Sequence, residues 1–580
     1  MPRARAPHRI KASETSSRPG LLAWICTEAE QERDDRGRLI EHFQSATASI
    51  CRFRRERGAT DGCSIMRRDG ASFLDLLLDE CRSRSRLIVV CRNLTRDLQL
   101  LGALPWLKEH GWKLGYPRLS HRLSILPATL DQKRIIFVAH ANLFPFLPEP
   151  AGRALEQIEQ MRSAWLAHLQ LLDELDAGNF CLTLGSQAMS IFRHRFMDHP
   201  IQIHADKSVD ALERKSAFGA LYQPFFAGEA TGSIYHYLDT NSMYPWCMRA
   251  FDAPWRLVSH GGALPVATLE RIMAEHLCIA TVEIETDHQH YPCKLDGRTI
   301  YPIGRFTTTL ATPDLRHALD HGRVLRVLEY ASYDGAHLFD SFVDALWARR
   351  VNCAANNDPY GAALCKGWMN ALYGCWGGWR FEHIVEARGD FLPDGAGELY
   401  DMAAQEQRHY VVLGGTMYSE RRKGATHNGF PAIMAHIAAY GRQRMWSLAA
   451  NAGRGHVLFV LSDGLIVDQL GYERLAMEID PTALGKLKEK RNARWFLSRS
   501  DVVAVLGDHE WSPGVPGDAT RIEDGVLVAD LEPRGATTFS ASEAGEYARL
   551  RRTLIQKPEF RSGVPDSDGW MTPIRLAEGS

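Results

Sequence analysis

Residues 457–468, VLFVLSDGLIVD, constrain the fold more than any other stretch of the chain. Two apolar runs flank Ser462-Asp463-Gly464, and Asp-Gly between such runs is a strong β-hairpin signal. Because both arms are hydrophobic, a buried hairpin is expected. Most Asp-Gly aspartates serve only their turn. A carboxylate at the tip of a buried hairpin, however, needs a partner, and a metal ion is one candidate.

Two further segments carry chemistry. In SIYHYLDTNSMYPWCM, residues 233–248, a β-prone run Ser233–Leu238 ends at Asp239, whose side chain can project from the strand's end. Ser242 and Pro245 then mark a turn. In KGWMNALYG, residues 366–374, helical periodicity over Tyr360–Tyr373 puts Lys366, Asn370 and Tyr373 at i, i+4 and i+7, on one face. A cation, an amide and a phenol on one stripe could grip a triphosphate, a base and a sugar. Taken alone, each segment is better explained as a capping residue or a mixed polar helix face.

The 580 residues allow three or four domains. A hydrophobic share of 45% and a charged share of 24% suit a globular protein with a large core. No run approaches 18 consecutive apolar residues, and the N-terminus shows no apolar signal region, so neither a membrane partner nor secretion is expected. The net charge of −2 does not announce a nucleic-acid binder, although a local basic groove is all that phosphates require. Basic clusters occur at Arg349–Arg350, Arg421–Lys423, Lys486 to Arg494 and Arg551–Arg552. Twelve cysteines without a C-x-x-C pair argue against a disulfide framework or a cysteine zinc site and for a reducing setting. His288, His290 and Cys293 come nearest to a metal cluster but lack a fourth ligand at suitable spacing.

No internal repeat stands out. Residues 1–20 carry five Arg/Lys and one Glu, which fits a disordered tail, a basic arm on nucleic acid or an organellar transit peptide. From 21 to 215 the chain reads as mixed α/β, with a buried strand at Leu87–Cys91 and a helix over Leu155–Asp176. Pro431–Ala450 reads as a helix closed near Gly453. Residues 381–427 are polar and Gly-rich and look inserted. The last seventy residues read as a small, weakly cored subdomain with a helical piece near Ser542–Gln556.

The order of these segments resembles motifs A, B and C of family B DNA polymerases: strand–Asp–SMYP, then K-x-x-x-N-x-x-Y-G, then a hairpin with Asp at its tip. Phe218-Gly219 through Gly228-Glu229 resembles the link before that family's palm. Gly304 with Thr312-Pro313-Asp314-Leu315 resembles its G…TPEL stretch, and Asn428 to Arg442 resembles the helix entering motif C. Length and spacing resemble most the protein-primed phage and plasmid branch, with Gly514-Val515-Pro516 similar to its Gly-x-Pro element. The resemblance implies an α/β multidomain fold, a right-hand polymerase preceded by an RNase H-like 3′–5′ exonuclease-type domain. The domains would be a basic tail (1–20), an exonuclease-like domain (21–215), the first part of the palm with an insertion (216–348), fingers (349–380), an insertion between motifs B and C (381–427), the second part of the palm (428–510) and a small thumb (511–580).

The same resemblance implies a mechanism. Two divalent ions, Mg²⁺ with Mn²⁺ tolerated, would be held by Asp239, Asp463 and the backbone carbonyl of Thr240. Lys366, helped by Arg349 or Arg350, would neutralise the incoming dNTP, with Ser242 alongside. Asn370 and Tyr373 would line the nascent base pair. Tyr244 would lie under the sugar and reject a 2′-hydroxyl. Lys486, Lys488 and Arg499 would hold primer–template phosphates, and Gly219 stands in Ala217–Ala220 where the family has a template-handling Tyr-x-Gly-Gly. Motif C usually reads Asp-Thr-Asp; here it is Leu461-Ser462-Asp463, keeping the aspartate that binds metal.

The exonuclease motifs look damaged. Cys26 stands for the first aspartate in Ile25-Cys26-Thr27-Glu28, and the second motif is partly kept at Asn93 and Asp97. The third, a Tyr-x-x-x-Asp, is absent from residues 161–169 around Trp165. A domain that folds without proofreading is expected, with a register using Glu28 and Glu30 as the alternative. A silent polymerase-like protein that binds DNA or a partner is the rival reading, and a nuclease is the third. The branch points to a terminal protein as priming partner and to a cytoplasmic, nucleoid- or mobile-element-associated setting, with an organelle as the alternative.

Overall fold

The computed structural model describes residues 6–577 except 36, 55–57, 82–85, 121, 390–394, 403–405, 414, 513–514, 516–518, 524–525, 532–544 and 556–558. Three sheets carry most of the architecture. The N-terminal region is built on a large sheet in which the strands Leu21–Arg33, Arg86–Cys91 and Lys133–Ala139 run parallel. Near-continuous apolar runs such as LIVVC form these central strands because both faces are covered. One face packs on Phe73, Leu77, Leu98 and Leu107, and the other on the helix Ala154–Glu174.

The second sheet has seven described strands and carries the hairpin Val457–Ser462/Gly464–Asp468 at its centre, beside Gly228–Thr240 and then Leu487–Ser498. Behind it the helices Asp340–Ala355, Pro359–Cys375 and Pro431–Ala452 share one core with the N-terminal helices. Pro431 occupies the first turn of its helix, where a missing N–H costs nothing, and Gly453 closes it with φ of 95°. A five-stranded sheet covers residues 253–336. Residues 379–425 form a four-stranded antiparallel sheet at the position expected for an insertion.

Three expectations are corrected. Residues 6–20 are not a free tail: His8–Ile10 pairs with Ile201–Ile203, and Arg18, only 5% exposed, donates to Asp173 at 2.8 Å. Glu546–Ile555 is a strand, not a helix, because its backbone pairs with Val526–Leu531 on one side and Leu39–His42 on the other. The described part of residues 511–580 is therefore no separate subdomain; these strands extend the N-terminal sheet, and Arg575–Leu576 pairs with Ile303–Gly304. The Gly514-Val515-Pro516 element lies largely outside the described residues.

Candidate active site

The hairpin forms, one residue earlier than the Asp-Gly signal suggests. Leu461 pairs with Gly464, so the two turn residues are Ser462 and Asp463. Ser462 takes φ of 64°, the positive φ that the first position of a tight two-residue hairpin turn requires. For a residue with a Cβ this costs about 1–2 kcal/mol. Gly464 serves packing instead: a Cβ there would lie 2.5 Å from the Tyr237 ring and 2.9 Å from the Leu238 carbonyl. This lack of a side chain lets the hairpin close on the neighbouring strand.

That closeness brings the two aspartates together. Asp239 is the direct cross-strand partner of Gly464, and the Thr240 amide donates to the Asp463 carbonyl at 2.7 Å. Burial, and then the Asp239 charge, push the Asp463 carboxyl up to about 6. Tyr237 Oη donates to Asp239 Oδ1 at 3.5 Å, and burial followed by the Asp239 charge raises the phenol well above its usual range. Ser242, just past the strand, also lies in the left-handed region at φ of 53°. The two strained serines thus bracket the carboxylates, as functional strain tends to do.

Cations face this acidic pair. Lys366 feels both Asp239 and Asp463, yet burial, then Arg350 and Lys490, lower its pKa. Arg350 Nη1 donates to Ser242 Oγ at 2.9 Å, and burial lowers its pKa as well. Three cations held close against their mutual repulsion form a receptor for a polyanion. Tyr244 stacks on Tyr373 with ring centroids 4.3 Å apart and planes 9° apart, giving a flat aromatic floor beside the pair. Asn370 shares the helix face with Lys366 and Tyr373, as expected, while Leu364, Trp368 and Leu372 face the core.

Not every expected residue joins the site. Arg349 turns away and pairs with Glu174 on the long N-terminal helix, leaving Arg350 as the arginine beside Ser242 and Lys366. Arg499 sits against Glu510 at 3.7 Å. Lys486 is held by Glu478 at 3.2 Å, and Lys488 is the cross-strand neighbour of Asp239. Gly219 has φ of 78°, and its carbonyl accepts from Arg442. His290, from the rejected metal cluster, bonds to Gln443 and stacks on His317.

Two contacts escaped the sequence reading. Lys490 Nζ lies 3.2 Å from Asp239 Oδ2. Tyr237 pairs with Arg491 and Leu238 with Glu489, so Lys490 is the extra residue of a β-bulge, and a bulge re-aims a side chain. The other is the pair Arg442–Asp314, each 1% exposed and 2.6 Å apart, which ties the helix Pro431–Ala452 to the helix Thr312–Asp320. The Thr312-Pro313-Asp314-Leu315 stretch thereby shows its work: Thr312 bonds to His436 and the Cys278 amide, and Asp314 anchors Arg442 and Gln443.

The N-terminal acidic site is filled from within. Cys26 is buried against Gln157, and burial followed by the Asp97 charge pushes its thiol up to about 12. Asp97, 1% exposed, accepts from Thr27 Oγ1 at 2.7 Å and from the Asn93 amide at 3.1 Å, with Arg96 at 3.4 Å. Arg96 also pairs with buried Glu41, a carboxylate that no motif marks. Glu28 is exposed and accepts from Ser45, and Glu30 bonds to Gln44. Trp165 is a core residue whose indole donates to His140 at 3.2 Å. A guanidinium thus lies among the acids of this site.

The fold finds its match in a known polymerase architecture. The phi29 DNA polymerase complexed with primer-template DNA and incoming nucleotide substrates gives a TM-score of 0.62 at 13% identity, covering 93% of this chain and 100% of the other. Its binary complex with primer-template DNA gives 0.58 at 13% identity, covering 93% and 92%. In fold, then, the chain is similar to phi29 DNA polymerase. Residues 175–379 match the family described as DNA polymerase type B, organellar and viral. A curated "Probable DNA polymerase" of Neurospora intermedia is 24% identical over 333 residues, which are 53% of this chain and 32% of the relative. The chain spans about a third of that relative's length. By sequence, residues 175–379 are similar to the type B DNA polymerases of the organellar and viral kind. No helix among the described residues is long and apolar enough to cross a membrane.

Proposed function

We propose that this chain is a template-directed DNA polymerase that joins deoxynucleotides to a primer 3′-hydroxyl, and that its N-terminal domain does not proofread. The observation that carries the reading is the meeting of Asp239 and Asp463 on adjacent strand ends under Lys366 and Arg350. Two close carboxylates, one buried enough to be pushed up to about 6, fit hard divalent cations, and Asp239, Asp463 and the Thr240 carbonyl would hold them. Mg²⁺, with Mn²⁺ as substitute, would supply activation of the 3′-hydroxyl and charge neutralisation at the triphosphate.

The chain's own residues do the rest. Lys366 and Arg350 bind the triphosphate, and their pKa values, lowered first by partial burial, show that both lie in a setting that favours an anionic partner. Tyr244 and Tyr373 orient the incoming nucleotide, with Tyr244 closing the space a 2′-hydroxyl would need. Lys488, next to Asp239 across the strands, reaches toward the primer strand. Leu461 packs with Tyr235, Ile466 and Phe496 where the family has its first motif C aspartate, so that position works as core. Nothing favours a catalytically silent relative, since Asp239, Asp463, Lys366 and Arg350 are all kept and meet at one site.

Arg96 motivates the loss of proofreading. A guanidinium that neutralises Glu41 and Asp97 stands where cations would have to bind, and Cys26 supplies no carboxylate. The test is a 5′-labelled primer with a mispaired 3′ end, incubated with Mg²⁺ and no dNTPs. Shortening that stops on changing Glu28 and Asp97 would overturn the proposal; an intact primer that extends when dNTPs are added supports both halves. We further propose a terminal protein as primer source, checked by protein bound covalently to product 5′ ends.

A further inference from the structure

At the end of the N-terminal sheet where its parallel strands begin lies a cavity of about 990 Å³ lined by Arg18, Arg52, Arg86 and Arg134 with Phe180. It is far from the exonuclease-like residues, which sit at the other end of the same strands, roughly 20 Å away at 3.3 Å per residue. Arg86 and Arg134 are direct cross-strand partners, and like charges so placed repel. Neither has an ion-pair partner among the described residues, and no carboxylate is among the described residues that line the cavity. Arg18 and Arg52 have carboxylates of their own, Asp173 at 2.8 Å and Glu80 at 3.6 Å, which leaves the exposed Arg86–Arg134 pair to attract a ligand.

We propose that this cavity binds a nucleotide phosphate, either of a free nucleotide or of a single nucleic-acid strand. Guanidinium forks match phosphate oxygens two at a time, and neighbouring strands set the backbones that carry the two forks about 5 Å apart. Phe180 gives the same cavity an aromatic wall on which a base can stack. The volume accommodates a mononucleotide or a short strand segment. The inference rests on charge and geometry alone and does not depend on the polymerase reading.

The test uses the full chain in EDTA, with 5′-phosphorylated hexathymidylate, dTMP and a polyglutamate peptide as probes, read by hydrogen exchange at residues 17–22 and 132–136. Protection by hexathymidylate is expected, weakened about tenfold or more in Arg86→Ala/Arg134→Ala. The salt dependence of that protection should flatten by about 1.4 in log–log slope for two lost phosphate contacts. Arg86→Lys/Arg134→Lys should fall between. Protection by dTMP too would assign a mononucleotide site, and protection by the oligonucleotide alone a strand site. Absent protection, equal protection in the alanine variant, or equal protection by polyglutamate would overturn the proposal. Unchanged primer extension in the alanine variant certifies its fold; if that variant fails to extend, the lysine variant decides.

Discussion

Lys490 Nζ lies 3.2 Å from Asp239 Oδ2, aimed there by a bulge in the strand Leu487–Ser498. The lysine is 41% exposed, so the pair contributes no more than about 1 kcal/mol. It is nonetheless a cation on a carboxylate that metal must share. Lys490→Gln should therefore bind Mn²⁺ about two- to fivefold more tightly as the DNA-free protein, measured by the Mn²⁺ spin-resonance signal. Its kcat should fall, because a positive charge near the triphosphate is gone. Unaltered Mn²⁺ affinity would show that Lys490 does not compete.

Tyr244 rests on Tyr373, with Gly441 behind it: a Cβ on that glycine would come within 3.5 Å of the Tyr244 ring. A ring stacked flat on its neighbour and buried beside Gly441 has little room to yield to a 2′-hydroxyl. Tyr244→Ala should narrow the kcat/KM ratio of dNTP over rNTP on the order of 10–100-fold. A ratio that stays put would take Tyr244 out of sugar selection.

Arg442 and Asp314 form a buried pair, and breaking one side strands a charge. Arg442→Met should cost about 3–5 kcal/mol in denaturant unfolding. Adding Asp314→Leu should recover much of that, since both charges are then gone. Strictly additive losses would mean that the pair is not what holds these helices together.

His168 is fully buried among Phe144, Phe180 and Trp368, and burial pushes its pKa down to about 3. Below its ordinary pKa of about 6.5 the unfolded chain takes up a proton that the folded chain refuses. The stability it leaves in place above pH 6.5 is thus lost as pH falls toward the folded value, by up to about 1.4 kcal/mol per pH unit. His168→Leu should flatten the fall in stability between pH 6 and pH 5 by about that amount. An unchanged slope would mean that other groups, such as His436 at about 4, dominate the acid limb.

The central hairpin and the helix Pro359–Cys375 were legible because their periodicities are strong and their burial agrees with them. The turn was misplaced by one residue, since Ser462 at positive φ leaves no sequence signature and Gly464 serves space against Tyr237. Residues 6–20 and 546–555 were misread for a common reason: composition and local pattern do not show a partner strand that lies hundreds of residues away. Lys490 escaped because a bulge is a property of two strands, and Arg350 could not be told from Arg349 until helix phase was fixed by Glu174. Glu41, which holds Arg96, carries no motif at all.

The most direct measurement is extension of a labelled primer–template with dNTPs and Mg²⁺, wild type beside Asp463→Ala. Full-length product from the wild type is expected, reduced at least about a thousandfold in the variant, because one of two carboxylates that hold metal is gone. Wild-type protein that binds the DNA yet extends nothing with Mg²⁺ or Mn²⁺, or a variant that extends as well as wild type, would contradict the assignment of Asp239 and Asp463 as the catalytic pair.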